Sequence, residues 1–209
     1  MKTSKDWNGN GNSVFKTLAA SNHTDKDRQS EDYYATDPIA IDKLIAGGFN
    51  LPHNVWECAC GGGHLAARLV QHGHYIVATD LVDRGYGYVN FDFLKQTALP
   101  ESLQGEECCI LTNPPYKYAT EFVEKALELL PEGMPAIFLL KTQALEGKGR
   151  WERLYRHGYL HEVYQFTERI LCAKNADFDG MKAGGGSAVS YAWFVFRKIP
   201  CIATTIHWI

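Results

Sequence analysis

The sequence of 209 residues has no Cys-x-x-Cys pair, no internal repeat and no apolar run approaching about 18 residues. Each absence excludes a class of protein. Six cysteines (58, 60, 108, 109, 172 and 201) without paired spacing argue against a zinc site, and no metal is expected. Cys58, Cys108 and Cys109 lie in apolar runs and read as buried, reduced thiols. Without a signal peptide or a membrane-length segment, the expectation is a cytoplasmic protein with no membrane partner. The P-loop's Gly-Lys-Ser/Thr is missing, as is GxGxxG. Charge of either sign is in small excess only: the net of −3 gives no general attraction to a polyanion. Its distribution is uneven. Residues 1–140 carry 11 Lys+Arg against 18 Asp+Glu, and residues 141–209 carry 10 against 6. A mildly basic C-terminal third faces either a polyanion or water.

What is present suits one globular domain, with 45% hydrophobic and 22% charged residues. Residues 1–31 are polar with little periodicity and read as a mobile arm; 32–209 read as a single catalytic domain. Thr36-Asp37-Pro38 opens a short helix that Gly47-Gly48 closes, with Thr36 or Asp37 as the cap. "NVWECA", "HYIVATD", "CCILTN" and "MPAIFLLKT" are apolar strands, and "GYVNFDFL" can hold a further short one. "CGGGHLAARLVQHG" is a glycine turn feeding a helix. "KYATEFVEKALELL" is an amphipathic helix, with apolar residues at 119, 122, 123, 126, 127 and 130. "GRWERLYRHG" is helical, and "YLHEVYQF" and "SAVSYAWFVFR" are strands. A long loop with three consecutive glycines joins those two, so they form an antiparallel hairpin with a long tip. "TTIHWI" is a tail docked on the body. Alternating helices and nearly continuous apolar strands predict an α/β fold whose mostly parallel central sheet is covered on both faces.

Ligands of such sheets bind at the carboxyl ends of the strands. Three features fall there. Glu57 with Gly61-Gly62-Gly63 is either a tight turn or a cradle that lets a ligand approach the backbone and a helix N-terminus. Asp80 closes the next strand, where a carboxylate accepts both hydrogen bonds of a ribose diol or else caps a helix. The third feature is Asn113-Pro114-Pro115-Tyr116. Two prolines stiffen the backbone and remove competing donors, so the Asn113 side-chain oxygen and the Pro114 carbonyl hold fixed directions. The segment is either an ordinary Pro-Pro strand terminator or an acceptor pair that suits an NH2 group. The amine of adenine is a poor nucleophile because its lone pair is delocalised into the ring. Two acceptors draw its hydrogens out of plane and free that pair, while Tyr116 supplies a face for a flat base. His64, His72 and His74 read as packing, capping or turn residues, and Trp56, Trp193 and Trp208 as core or rim aromatics.

"ECACGGG", "ATD", "FDFL" and "TNPPY" resemble, in order, motifs of class I S-adenosylmethionine-dependent amino methyltransferases, and "DYYATDP" stands where their N-terminal cofactor motif does. The wider text is similar to compact DNA adenine-N6 methyltransferases carried by phages and mobile elements, with restriction-modification, protection from restriction or regulation as the candidate roles. The resemblance covers roughly residues 20–209 and implies a Rossmann-like fold with S-adenosylmethionine as cofactor. It places Glu57, Cys60, Gly61 and Gly63 along the cofactor's methionine portion, with Tyr34 and Thr36 closing over that end. Asp80 is implied at the ribose, Leu81 beside the adenine, and Asp92 with the Phe93 backbone at the cofactor's amino group and ring. Asn113, Pro114, Pro115 and Tyr116 are implied to hold the target amine of a base flipped out of DNA. Cys58 stands where the family usually has proline.

A separate target-recognition domain is not expected. Sequence choice is left to the loops 142–156 and 169–187, where Lys148, Arg150, Arg153 and Arg156 meet phosphates or form the solvated face of a helix. RNA adenine, a protein glutamine side chain and a catalytically silent nucleic-acid binder are the alternatives. Oligomeric state is not readable.

Overall fold

The computed structural model describes residues 34–209 of the chain; the polar arm read at 1–31 lies outside them. The sheet is built where apolar residues run without interruption. Strands β2 (Asn54–Glu57), β3 (Tyr75–Ala78), β4 (Cys108–Thr112) and β5 (Ala136–Lys141) are parallel, and every residue of β4 is buried. β6 (Leu160–Gln165) and β8 (Tyr191–Phe196) pair antiparallel, as expected for the C-terminal hairpin, and β8 lies directly against β5. With β9 (Thr205–Trp208), the seven-stranded order is β3-β2-β4-β5-β8-β6-β9, and β8 alone runs against the rest.

Alternate residues of each strand feed two cores. Ile110, Phe138, Leu140, Phe194 and Phe196 face one side and pack with Phe122, Val123 and Ala126 of α3 (Ala119–Leu129). Leu111, Ile137, Leu139, Trp193 and Val195 face the other, under α1 (Ile39–Ala46) and α2 (His64–Gln71). The stripe Leu65, Ala66 and Leu69 explains why α2 lies down on the sheet. Asp37 caps α1, its Oδ1 accepting from Ile39 N–H at 3.1 Å.

Three places differ from the sequence expectation. "GYVNFDFL" makes no strand: Tyr88 forms a single bridge to Thr79, Asn90 is left-handed (φ 57), and Phe93–Lys95 is a 3-10 turn capped by Asp92. Phe93 turns into the core rather than alternating along a sheet edge. The tail "TTIHWI" is a sheet strand, β9, parallel to β6. The glycine-rich tip holds β7 (Cys172–Lys174) and α5 (Phe178–Ala183), and β7 pairs antiparallel with β1 (Tyr34–Thr36) in a separate two-stranded ribbon. α4 (Lys148–Arg153) follows β5, as the helical reading of that stretch required.

After β2 the chain moves outward to β3, then returns across β2 to make β4. The strand order therefore reverses between β2 and β4, and a crevice opens at their carboxyl ends. Among the described residues, no helix is long and apolar enough to cross a membrane.

The buried Trp193 of β8 ties α1 to the sheet, its Nε1–H donating to the Ala40 carbonyl at 3.0 Å. Replacing Trp193 with Phe removes that bond and part of the packing. A loss of about 1–3 kcal/mol is expected, read as a lower urea midpoint at unchanged denaturant slope.

Candidate active site

Glu57 ends β2 with its side chain buried, and the chain then turns through Ala59–Gly63 before α2 begins. Gly61 and Gly63 both take positive φ (55° and 77°), which side chains with a Cβ rarely adopt. The turn is held from three sides. Cys60 N–H donates to the Thr79 carbonyl, Thr112 Oγ1 to the Ala59 carbonyl, and Gly61 N–H to Asp80 Oδ2 at 2.7 Å. Asp80 also accepts from Val82 N–H through Oδ1. A carboxylate has about four acceptor positions, so clamping the turn leaves Asp80 capacity for a diol.

Tyr86 belongs to this site, although no periodicity singled it out. A Cβ on Gly63 would lie 2.3 Å from the Tyr86 ring, so the ring rests directly on the turn. Cys60 Sγ donates to the Tyr86 carbonyl. The tyrosine between two left-handed glycines, Gly85 and Gly87, just past a strand-ending acid was the available signal. Leu81 is exposed beyond Asp80, and Phe91 N–H on the Asp80 carbonyl keeps the 91–93 segment alongside. Asp92 pairs with Lys95 at 3.1 Å and accepts from Leu94 N–H, and the Phe93 ring packs on Trp56 and Phe122.

Across the crevice, β4 delivers Asn113, Pro114, Pro115 and Tyr116. Asn113 Nδ2 donates to Thr36 Oγ1 at 2.9 Å and approaches Cys172 Sγ at 4.0 Å. Its Oδ1 is buried and has no partner. The Pro115 carbonyl accepts from Tyr118 N–H, which starts the turn into α3. The Tyr116 ring stacks with Tyr191 at 6.0 Å, and Lys141 Nζ stands 4.7 Å from its centroid. Tyr191, Lys141 and Cys172 join the site from β8, β5 and β7. Nothing in the local pattern of those strands marked them.

Two hollows flank the Asn-Pro-Pro-Tyr segment. A narrow one, about 20 Å³, lies between Tyr34, Thr36, Glu57, Cys60, His64 and Asn113. His64 also meets the Phe178 ring edge-on. The larger, about 170 Å³, is bounded by Tyr116, Ala119, Val123, Leu140, Lys141 and Leu154.

Burial dominates the electrostatics. It pushes the Glu57 carboxyl well above its usual range, against a bond from Ala66 N–H and with added repulsion from Asp80. Burial raises the Cys60 thiol to about 12 and the Cys172 thiol to about 11, and it raises the Tyr116 phenol as well. Among the described residues, three buried side-chain polar atoms lack a partner: Glu57 Oε2, Asn113 Oδ1 and the Tyr116 hydroxyl. All three were read from the sequence as site residues. Unpaired buried polar atoms are costly, and their concentration in one crevice marks a place prepared for a ligand.

Two of the basic residues after β5, Arg150 and Arg153, are already engaged. Arg150 donates to the carbonyls of Gln143, Ala144 and Glu146, and Arg153 pairs with Glu121 and Glu124 of α3. Lys148 stands 4.0 Å from Glu152. The structure places Arg156 in a 3-10 turn after α4.

No family model and no curated protein matches the sequence. Solved structures share the fold. One is described as the methyltransferase subunit of a type I restriction-modification system from Streptococcus thermophilus (14% identity, TM-score 0.55, covering 94% of this chain and 50% of that one). A second is described as the modification subunit of a type I restriction enzyme from Vibrio vulnificus YJ016 (15%, TM-score 0.56, 94% and 51%). A third, from Listeria monocytogenes, is described as a class I S-adenosylmethionine-dependent methyltransferase (11%, TM-score 0.53, 95% and 72%). The chain spans about half the length of the two restriction-system subunits. Its architecture is the Rossmann-like fold of class I methyltransferases.

Gly63→Ala should cost about 1–3 kcal/mol in urea unfolding, through its positive φ and the Tyr86 ring. Adding Tyr86→Ala should return only the steric part, a non-additive pair. Glu57 gives a pH signature. Its folded pKa lies above 4.5, so the folded state binds the proton more tightly, and stability falls as pH rises through the window above 4.5. Glu57→Gln should flatten that slope, making the ligand-free protein more stable than wild type at about pH 8 and closer to it at about pH 5.

Proposed function

We propose that this chain transfers a methyl group from S-adenosylmethionine to the exocyclic N6 amine of adenine in DNA. One observation carries the reading: Asn113 Oδ1 is buried without a partner at the carboxyl end of β4, while its Nδ2 is turned away onto Thr36. A buried acceptor held ready in this crevice suits a substrate that brings N–H donors. Oxygen acceptors at Asn113 and the Pro114 carbonyl would take the two hydrogens of the amine and leave its lone pair pointing across the crevice.

The opposite wall fits the cofactor. The unpartnered Glu57 oxygen suits a cationic group in a low-dielectric site, Asp80 retains acceptor positions for a ribose diol, and the glycine turn permits close approach. When bound, S-adenosylmethionine supplies a methyl group already activated on a sulfonium. The protein's part is then alignment and electrostatics rather than a strong base. A protonated aromatic amine is acidic enough to lose its proton to water. The narrow hollow at Glu57 must widen to admit the methionine portion, and Tyr86, whose ring rests on the glycine turn, is the side chain placed to shift outward. Tyr116, with Lys141 over its ring and the larger hollow beside it, would receive the base.

DNA is favoured over other amines by two observations. Two of the solved structures that share the fold are described as modification subunits of restriction systems. The C-terminal third also carries the basic excess, although the Arg150 and Arg153 guanidiniums are engaged within the chain.

The test is transfer of labelled methyl to unmethylated DNA, with RNA and a glutamine-bearing protein as parallel substrates. Label should appear in DNA as N6-methyladenine. Asn113→Ala should lower kcat by about a hundredfold or more, with cofactor affinity nearly unchanged. Label in RNA or protein alone would overturn the substrate. Cofactor binding without transfer to anything would make the chain a silent binder.

A further inference from the structure

We infer that the β1–β7 ribbon sets the orientation of the Asn113 carboxamide, with Thr36 and Cys172 as positioning residues. A carboxamide is nearly symmetric in shape, so packing alone hardly distinguishes its two orientations. They differ entirely in chemistry. With the oxygen toward the crevice, Asn113 accepts from an amine; with the NH2 there, donor meets donor and the site repels its substrate.

The ribbon makes the choice. Thr36 and Cys172 are direct cross-strand partners in the β1–β7 register, and each is buried to within 3% of full cover. Their Oγ1 and Sγ stand side by side behind Asn113, at 2.9 and 4.0 Å from Nδ2. Two hydrogens of the carboxamide thus meet two acceptors. In the reversed orientation both would be buried toward the crevice without partners, and orphaned N–H donors are rarer in proteins than an under-satisfied carbonyl. The ribbon is reinforced by Asp37 N–H donating to the Leu171 carbonyl at 2.9 Å.

Two short strands far apart along the chain therefore supply what β4 alone lacks. β1 also lines the hollow beside Glu57 through Tyr34 and Thr36, so one strand closes the cofactor side and aims the acceptor.

The inference rests on the amine-methylation reading for its catalytic consequence, but its placement can be read independently. In full-length protein, the side-chain 15N–H2 pair of Asn113 is identified as the one lost in Asn113→Asp. It should exchange slowly with solvent in wild type, and move and exchange faster in Thr36→Val. Thr36→Ser should restore it. Cys172→Ala should lower kcat by about tenfold with S-adenosylhomocysteine affinity unchanged, the size expected for one hydrogen bond, and Cys172→Ser should recover most of the rate. An amide signal unmoved by Thr36→Val overturns the inference whether or not the wild type is active. A parallel fall in cofactor affinity and rate in Cys172→Ala also overturns it, since the ribbon would then serve the cofactor alone. A shifted amide in a wild type that methylates no amine supports the placement and overturns the substrate reading instead.

Discussion

The site depends on one constraint: the strand order reverses between β2 and β4, so two adjacent parallel strands send their chains away in opposite directions. No covering loop or helix can cross the gap directly, and the carboxyl ends of both strands stay open. Glu57 and Asn113 are the residues delivered there. The rest of the architecture supports that opening. β4 is buried along its whole length, and helices on both faces leave its direction no freedom. The glycine turn after Glu57 is fastened to Thr79, Asp80 and Thr112. A rigid sheet edge makes the separation of the two walls a property of the backbone rather than of mobile side chains.

The cost of that opening is visible in the polar atoms. Elsewhere among the described residues, buried side-chain donors and acceptors are paired: Trp56 Nε1 with Thr79, Trp193 Nε1 with Ala40. The crevice alone keeps Glu57 Oε2, Asn113 Oδ1 and the Tyr116 hydroxyl without partners. Each is destabilising in the absence of a ligand, and Glu57 responds by holding its proton more tightly than an exposed carboxyl does. Their persistence makes sense if binding restores the missing interactions, so that part of the stability withheld from the ligand-free fold is regained on binding.

Much of this was legible in the sequence. The apolar runs ending at Glu57, Asp80 and Asn113 announced strands, and the glycines and prolines after them announced where those strands stop. What escaped was non-local. β1 and β7 are three residues each, too short for any period, and their pairing joins Thr36 to Cys172 across most of the described chain. Tyr86 acts through the absence of a Cβ on Gly63, a relation that no residue pattern expresses. "GYVNFDFL" misled because Phe91 and Phe93 alternate like a strand, while Asp92 between them caps a 3-10 turn that begins at Phe93. Arg150 and Arg153 read equally as phosphate contacts or as the solvated face of a helix, and in the fold both guanidiniums have partners within the chain.

What escaped the sequence shares a physical origin that bears on function. Local sequence encodes the two walls of the crevice, because each is a strand end followed by a stiff or permissive turn. Aiming the groups on those walls is a tertiary matter, settled by Thr36 and Cys172 behind Asn113 and by Tyr86 over Gly63. If the ribbon orients Asn113, the catalytic segment would be necessary and not sufficient: the same four residues without the ribbon would present either end of the carboxamide. Activity in this fold would then depend on contacts formed late and over long separations. Loosening the ribbon would be expected to silence the chemistry before it disturbed the core.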